Sequence, residues 1–385
     1  MIAINDNAVH AIVELVAAAT MTFGVLCLLQ PVAPRVGLVD RPAGRKDHAA
    51  PTPSTGGLAM LLGIFLTLSL LGHWTSQNVY FMIAAALLVF VGVFDDIFDL
   101  RWWVRVPVQC AAAWIMFASG VAVKHIGQGF GVQATGLGAF ALPFTMFAAV
   151  GVINAINMTD GVDGLAGGIV LATFCMMESA ALYCGNFALA EKLAVFAGAV
   201  FGFLLMNMRF PWQPRARVFM GNAGSALLGF AIAWGSFRLT QNDAHPVTPI
   251  LAPWLVATPL IDCVSLIVHR LAKGQSPFHA DRDHMHHLML DAGFTPAQLT
   301  VTLVGINLLL GLMASVALLE HVPQPVLVIV FVAICLAYFW LTRRRARAVA
   351  AFASVHRFLA RLRIMPRNAP VAPTHVEKRV ESTDP

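Results

Sequence analysis

The feature that most constrains this chain is a succession of apolar windows, each near the length of a bilayer crossing. A membrane span needs about 20 predominantly apolar residues. Eleven such windows follow one another at about 8–30, 54–72, 78–94, 104–123, 138–157, 164–184, 190–208, 223–241, 248–268, 298–319 and 325–341. Of the 385 residues, 58% are hydrophobic and only 12% are charged, against about 25% charged in a soluble domain. A water-surrounded core cannot absorb that much apolar surface, and so little charge with so much Leu, Ala, Val and Phe also excludes disorder. The expected fold is an all-α polytopic integral membrane protein with about eleven transmembrane helices.

Basic residues then orient the chain, because cytoplasmic loops carry an excess of Lys and Arg. With eleven spans, 22 of the 25 Lys and Arg fall on one side, and only Lys124, Lys192 and Arg238 fall on the other. The N-terminus is therefore expected outside and the C-terminus in the cytoplasm. Residues 1–341 read as one transmembrane domain. Residues 342–365 read as a basic cytoplasmic helix, opening with Arg343, Arg344 and Arg345 and carrying Val349, Phe352, Val355, Phe358 and Leu359 on one side. Such a helix suits the membrane surface and anionic lipid, so the formal charge of +5 is a topology signal and not a sign of nucleic acid. Residues 366–385 read as a disordered tail.

The six cysteines, at 27, 110, 175, 184, 263 and 335, all lie in or beside apolar stretches and form no C-x-x-C pair. They read as small hydrophobes. Trp102 and Trp103 beside Arg101 read as an interfacial anchor, and Met176-Met177 as packing.

Polar residues that remain are not scattered. Asp95, Asp96 and Asp99 follow the third window, and Asn154, Asn157, Asp160 and Asp163 sit between the fifth and sixth. Phe219 through Ser225, with Asn222 between Gly221 and Gly224, opens the eighth. His279, Asp281, Arg282, Asp283, His284, His286 and His287 occupy the long loop after the ninth, and Asp262 is embedded in the ninth itself. Nearly all fall on the expected cytoplasmic side. Carboxylates near hydrocarbon are costly and tend to mark function. So many of one sign need a cation or a basic partner, and hard oxygen donors suit Mg²⁺ or Mn²⁺, which often accompany phosphate. Glycines beside a helix start leave backbone amides open to a phosphate. The histidines suit metal ligation, phosphate contact or a proton relay. Together these features point to phosphoryl chemistry on a lipid at the cytoplasmic face.

The same residues resemble the polyprenyl-phosphate N-acetylhexosamine-1-phosphate transferases. The likeness runs from about residue 35 to 295 in motif order: Asp40-Arg41-Pro42 with Arg45-Lys46 and His48, Pro53 with Gly56-Gly57, Phe94-Asp95-Asp96, Asn157 to Gly164, Phe219 to Ser225, and His284-Met285-His286-His287. Within the superfamily the details are similar to the undecaprenyl-phosphate GlcNAc-1-phosphate transferase branch. The muramyl-pentapeptide branch has Lys three residues after its Asp-Asp pair, where this chain has Asp99, and a Lys before its Thr-Pro segment, where this chain has His48-Ala49.

That resemblance implies attack by undecaprenyl phosphate on the sugar-linked phosphorus of UDP-GlcNAc in the bacterial inner membrane, with Mg²⁺ or Mn²⁺ as cofactor and no nucleic-acid partner. It implies Asp95, Asp96 and Asp160 as catalytic carboxylates, with Asp95, Asp96 and the residue at 222 near the metal. It also implies Asn157, Asp163 and Phe219 in the nucleotide pocket, and Arg282, His284, His286 and His287 on sugar and phosphate. Homo-oligomerisation stays open. One departure stands out: the family generally carries Asp, a metal ligand, where this chain has Asn222. Another UDP-hexosamine, or the muramyl substrate, is the nearest alternative. A secondary transporter is the alternative of another class, although transporters bury polar groups near mid-membrane in inverted repeats, and no repeat is visible here.

Overall fold

In the computed structural model, residues 6–40, 51–127, 136–279 and 281–362 are described. The motif residues Arg41, Pro42, Arg45, Lys46 and His48, and the proposed tail, lie outside them. The described residues are mostly helical. In order come α1 (Asp6–Leu29), α2 (Gly56–Leu70), α3 (Ser76–Phe98), α4 (Trp102–Ala118), α5 (Ala141–Thr159), α6 (Leu165–Tyr183), α7 (Phe187–Asn207), α8 (Gly221–Thr240), α9 (Leu251–Leu255), α10 (Ala257–Ala272), α11 (Met285–Asp291), α12 (Pro296–Leu319), α13 (Gln324–Thr342) and α14 (Arg345–Arg361). Among the described residues the strands are β1 (Val39–Asp40) and β2 (Thr52–Pro53), which pair antiparallel.

Each of the eleven windows contains helix, but among the described residues only seven helices are long and apolar enough to cross a membrane by themselves: those of α1, α3, α5, α6, α7, α12 and α13. The shortfall has a physical origin. Helix α2 has 15 residues, α4 has 17 and carries Pro107, and α8 is rich in Gly and Ser because nearly all of it is buried against other helices instead of lipid. The ninth window is broken into α9 and α10 at Val256. Thr173 Oγ1 and Asn307 Nδ2 donate to the Leu255 carbonyl at 2.8 and 3.0 Å, and the Thr258 amide donates to Asn307 Oδ1 at 3.2 Å. Side chains from α6 and α12 thus satisfy backbone groups that the break releases, as an apolar interior requires. The protein is a polytopic helical membrane protein.

Its centre is an aromatic cluster in which the Phe81 ring lies 5.0, 5.5 and 5.2 Å from Phe196, Phe230 and Trp234. Met177 is fully buried, as packing predicts. Trp102 is 45% exposed and stacks on Phe278 with centroids 4.7 Å apart. Helix α14 does more than present a basic face. Its Phe352 packs against the buried cluster that contains Leu165, Ile169, Met289 and Phe294, and Arg345 bonds Asp283 and Asp291. The arginine-rich segment therefore docks beside α11, with Val355 and Phe358 left exposed.

Close helix approach sets the position of the polar end. A Cβ on Gly57 would fall 2.5 Å from the Ala223 carbonyl carbon, and one on Gly92 would fall 2.7 Å from the Ala223 nitrogen. Only hydrogen at both positions lets α2 and α3 close on the start of α8. Between these elements the Phe219 amide donates to the Pro53 carbonyl at 2.8 Å, while the Gly56 and Gly57 amides donate to the Phe219 and Met220 carbonyls at 3.1 Å. The first amides of α2, which lack partners inside their own helix, are thus capped by the segment leading into α8.

Candidate active site

Six helix ends converge there: the C-termini of α3, α5 and α7 and the N-termini of α2, α6 and α8. Asp96, in the last turn of α3, accepts from the Asn222 amide at 2.7 Å and the Ala223 amide at 3.4 Å. This carboxylate therefore sits on the positive end of the α8 dipole. Asn157, in the last turn of α5, donates through Nδ2 to Asn222 Oδ1 and to Ser225 Oγ, both at 2.9 Å. Asp160 caps α5, and its carboxylate makes no hydrogen bond among the described residues. Burial first, then Asp96 and Asp163, push its carboxyl up to about 7. The charges of Asp96 and Asp160 are close enough to disfavour one another, which a bound cation would reverse.

Asp95 and Asp163 have different surroundings. Asp95 is buried and accepts from the Leu100 amide at 2.7 Å and from Arg105 Nη1 at 3.2 Å, so both its oxygens are engaged. Asp163 accepts from Arg209 Nε at 2.8 Å and the Ala216 amide at 3.1 Å through one oxygen. That pair ties the loop between α7 and α8 to the α5–α6 turn. Asn207 reinforces the join, accepting from the Gly164 amide and donating to the Val218 carbonyl, both at 2.9 Å.

The histidines arrive from α11. His286 is buried against the α5–α6 turn, where a Cβ on Gly161 would lie 2.8 Å from its Cε1 and still closer to its Nε2. The His286 ring lies 4.3 Å from His287 and 5.4 Å from His284, centroid to centroid. His284 Nδ1 lies 3.3 Å from Asp262 Oδ2, and Asp262 Oδ1 accepts from the Met285 amide at 3.0 Å and Tyr338 Oη at 2.8 Å. The acid embedded in the ninth window therefore orients the histidine segment. Arg270 is 4% exposed, and its Nε lies 2.8 Å from Asp281 Oδ2. Burial opposes ionisation of Asp281, but Arg270 and the Asp283 amide hold its carboxyl below the usual range. Arg282 is exposed.

Sequence reasoning missed Arg105, Arg209, Arg270, Tyr338 and Asn207. Each lies near a window boundary, where a lone basic or polar residue carries no sign of the acid or turn it meets. Asn154 is one that the junction cluster contained. It donates to Gln109 Oε1 at 2.8 Å and helps line a narrow cleft between α3, α4, α5 and α8, whose volume is about 30 Å³. Leu88, Val108, Ile153 and Ala226 make the cleft apolar, while Asp95, Arg105, Asn157 and Asn222 make one end polar.

His286 has a consequence for pH. Burial, then the neighbouring His287, His284 and Arg282, hold its imidazole well below the ordinary 6.5. Below about pH 6.5 the unfolded chain binds a proton that the folded chain refuses, so this group's stabilising contribution is lost as pH falls through that value. The apparent Tm of detergent-purified protein should therefore fall more steeply from pH 7 to 5.5 than that of His286→Asn. Parallel curves would contradict a buried, neutral His286.

A membrane-embedded helical bundle that gathers carboxylates, amides and imidazoles beside an apolar cleft is built for group transfer between a polar and a lipid substrate. Known proteins specify which kind. The glycosyl transferase family 4 profile matches residues 78–240. Undecaprenyl-phosphate alpha-N-acetylglucosaminyl 1-phosphate transferase of Escherichia coli O157:H7 is 34% identical over 91% of this chain and 96% of its own length. The Yersinia pestis protein of the same name is 34% identical over 92% and 97%, and the Salmonella typhi protein 35% identical over 94% and 98%. The chain belongs to this family of glycosyl-1-phosphate transferases.

Proposed function

We propose that the chain transfers GlcNAc-1-phosphate from UDP-GlcNAc to undecaprenyl phosphate, releasing UMP and leaving undecaprenyl-diphospho-GlcNAc. The observation that carries this reading is the meeting of Asp96, Asn157, Asp160 and the α8 amides at the polar mouth of an apolar cleft. In the reaction a lipid phosphate oxygen bonds to the sugar-linked phosphorus of UDP-GlcNAc, and the bond from that phosphorus to the UMP oxygen breaks. The polar end of the cleft, at Arg105 and Asn157, would take the lipid phosphate. Helix α8 donates its Asn222 and Ala223 amides to Asp96, which anchors that carboxylate at the site.

The donor set fits a hard divalent cation. Asp160 has a carboxylate without a hydrogen-bond partner among the described residues, and Asp96 places a second one beside it. Mg²⁺ commonly uses one or two carboxylates and takes its other ligands from phosphate and water. When bound, Mg²⁺ or Mn²⁺ would offset charge on the diphosphate and the leaving phosphate. Asp95, tied to Arg105, would act by holding that arginine and the α3 terminus in place. Phe219, whose backbone is bonded to β2 and α2, would stack on uracil beside Asp163. Arg282, His284, His286 and His287 would contact sugar and phosphate, with His284 oriented by Asp262. The proposed topology has the N-terminus outside and this site on the cytoplasmic face of the bacterial inner membrane, with the windows of α2, α4, α8 and α9–α10 as further crossings.

Purified protein with undecaprenyl phosphate, UDP-GlcNAc and a Mg²⁺ or Mn²⁺ titration tests this reading, UMP and lipid-linked GlcNAc being followed together. Equal, metal-dependent appearance of both products is the expected result. Silence where a related transferase works would sink it. Asn222→Asp belongs in the same experiment. Asn157 would still donate to the new carboxylate, but a third negative charge would join Asp96 and Asp160. Half-saturation by Mg²⁺ should fall by about 10-fold, the effect of about 1.4 kcal/mol of added cation affinity. The variant's Tm should drop in chelator and recover in millimolar Mg²⁺.

A further inference from the structure

A second group of metal-type side chains lies far from the aspartates. Glu14 in α1, His73 in the turn after α2, and Glu191 near the start of α7 each offer a ligand atom, and these atoms lie within 4.8 Å of one another. Helix α2 begins at the site beside Phe219, and its 15 residues carry the chain about 22 Å away at 1.5 Å per residue before His73. Helix α3 then returns the whole distance to Asp95 and Asp96. Helix α7 likewise begins near Glu191 and ends at Asn207, inside the site. The two clusters therefore occupy opposite ends of the same helices.

Several observations separate this group from ordinary surface acids. His73 Nε2 lies 2.9 Å from Glu14 Oε1, and the Glu14 side chain is only 4% exposed. Its other oxygen, Oε2, is buried without a hydrogen-bond partner. A buried carboxylate oxygen with no partner, on a helix otherwise made for lipid, is costly, and a cation is the partner that serves both of its neighbours as well. The adjacent base does not fill that role, because Lys192 Nζ donates to the Ala188 carbonyl at 2.9 Å. The turn that carries His73 is already held: Asn78 Nδ2 donates to the His73 carbonyl at 2.6 Å, and Thr75 caps α3. The His73 side chain is 32% exposed, which leaves a path for an ion and a position for water.

We propose that Glu14, His73 and Glu191 form a divalent transition-metal site that staples α1, the α2–α3 turn and α7 together at the end of the bundle opposite the transfer site. One imidazole nitrogen with two carboxylates suits Zn²⁺, with water as the fourth ligand, whereas Mg²⁺ and Ca²⁺ prefer oxygen alone. The proposal does not depend on the transferase reaction.

The test uses full-length protein in detergent, stripped with a chelator and titrated with Zn²⁺ against a chromophoric competitor, with thermal unfolding in parallel. Wild type should bind one tight equivalent that raises the apparent Tm. His73→Gln and Glu191→Gln should each weaken that equivalent by about 10–100-fold or more, since even loss of an outer-shell partner costs that much. Asp96→Asn should retain it, and Mg²⁺ should not reproduce it. Equal Zn²⁺ binding by wild type and variants overturns the site, as does the lack of a tight equivalent in wild type or an equal response to Mg²⁺. Glu191 is only half-buried, so Glu191→Gln decides the matter if His73→Gln does not fold.

Discussion

Asp160→Asn should abolish most transfer while making the protein harder to unfold. Loss of a positioned carboxylate at the reacting phosphates should lower kcat by about 10²–10⁴-fold, the range for removing a group that handles protons or charge in the transition state. Stability should move the other way. Burial, with Asp96 and Asp163 nearby, raises the Asp160 carboxyl to about 7 from the ordinary 3.9 or so of an exposed Asp. The folded state therefore holds the proton more tightly than the unfolded chain, and ionising Asp160 becomes a growing cost as pH rises from about 4 to about 7. Asn carries no such cost. In chelator at pH 8, the variant's apparent Tm should exceed that of wild type by a few degrees, and the gain should vanish near pH 4. With saturating Mg²⁺ the order should narrow or reverse, because a cation stabilises the ionised wild-type carboxylate and not the amide. A variant that loses activity and Tm together in chelator would show that Asp160 supports the fold instead of straining it.

Gly57→Ala should have the largest effect on the fold for the smallest change in composition. The added methyl would meet the backbone of Ala223 and Gly224, where no rotamer change can make room. The α2 and α8 segments would have to separate by a few tenths of an ångström or more. Overpacking of this kind usually costs 1–3 kcal/mol, and here it also strains the bonds from Gly56 and Gly57 to Phe219 and Met220. Those bonds set the entry to α8, and hence the Asn222 amide that Asp96 accepts from. The variant should lose several degrees of apparent Tm and, where it folds, at least 10-fold in kcat. Gly24→Ala, on α1 with no atom near its added methyl, should change neither. Equal behaviour of the two alanine variants would remove close helix approach as the device that positions the site.

Much of this was legible in one dimension, because lipid imposes a simple rule on sequence. Apolar windows of bilayer length declared helices, and every window contains helix. Polar residues that survive in such a chain must be satisfied or useful, which is why Asp96, Asn157, Asp160, Asn222 and His286 stood out before any coordinates. The count of crossings was less legible. Helix α8 escapes a hydropathy test because it packs on protein and not on lipid, and the ninth window breaks at Val256 because Thr173 and Asn307, distant in sequence, supply the missing hydrogen bonds.

Hydropathy and motif order, read along the chain, determined the class of fold, the end of the bundle where polar residues gather and the types of residue assembled there. Tertiary structure alone decided which carboxylates are engaged and which are not. Asp95 meets Arg105 and Asp163 meets Arg209, whereas Asp160 meets no hydrogen-bond partner among the described residues. Asp96 rests on amides brought from 126 positions away. Composition and period report the solvent around a helix, one residue at a time. The pairing of an acid with a base or an amide depends on distances between helices, and glycines at the crossing points set those distances.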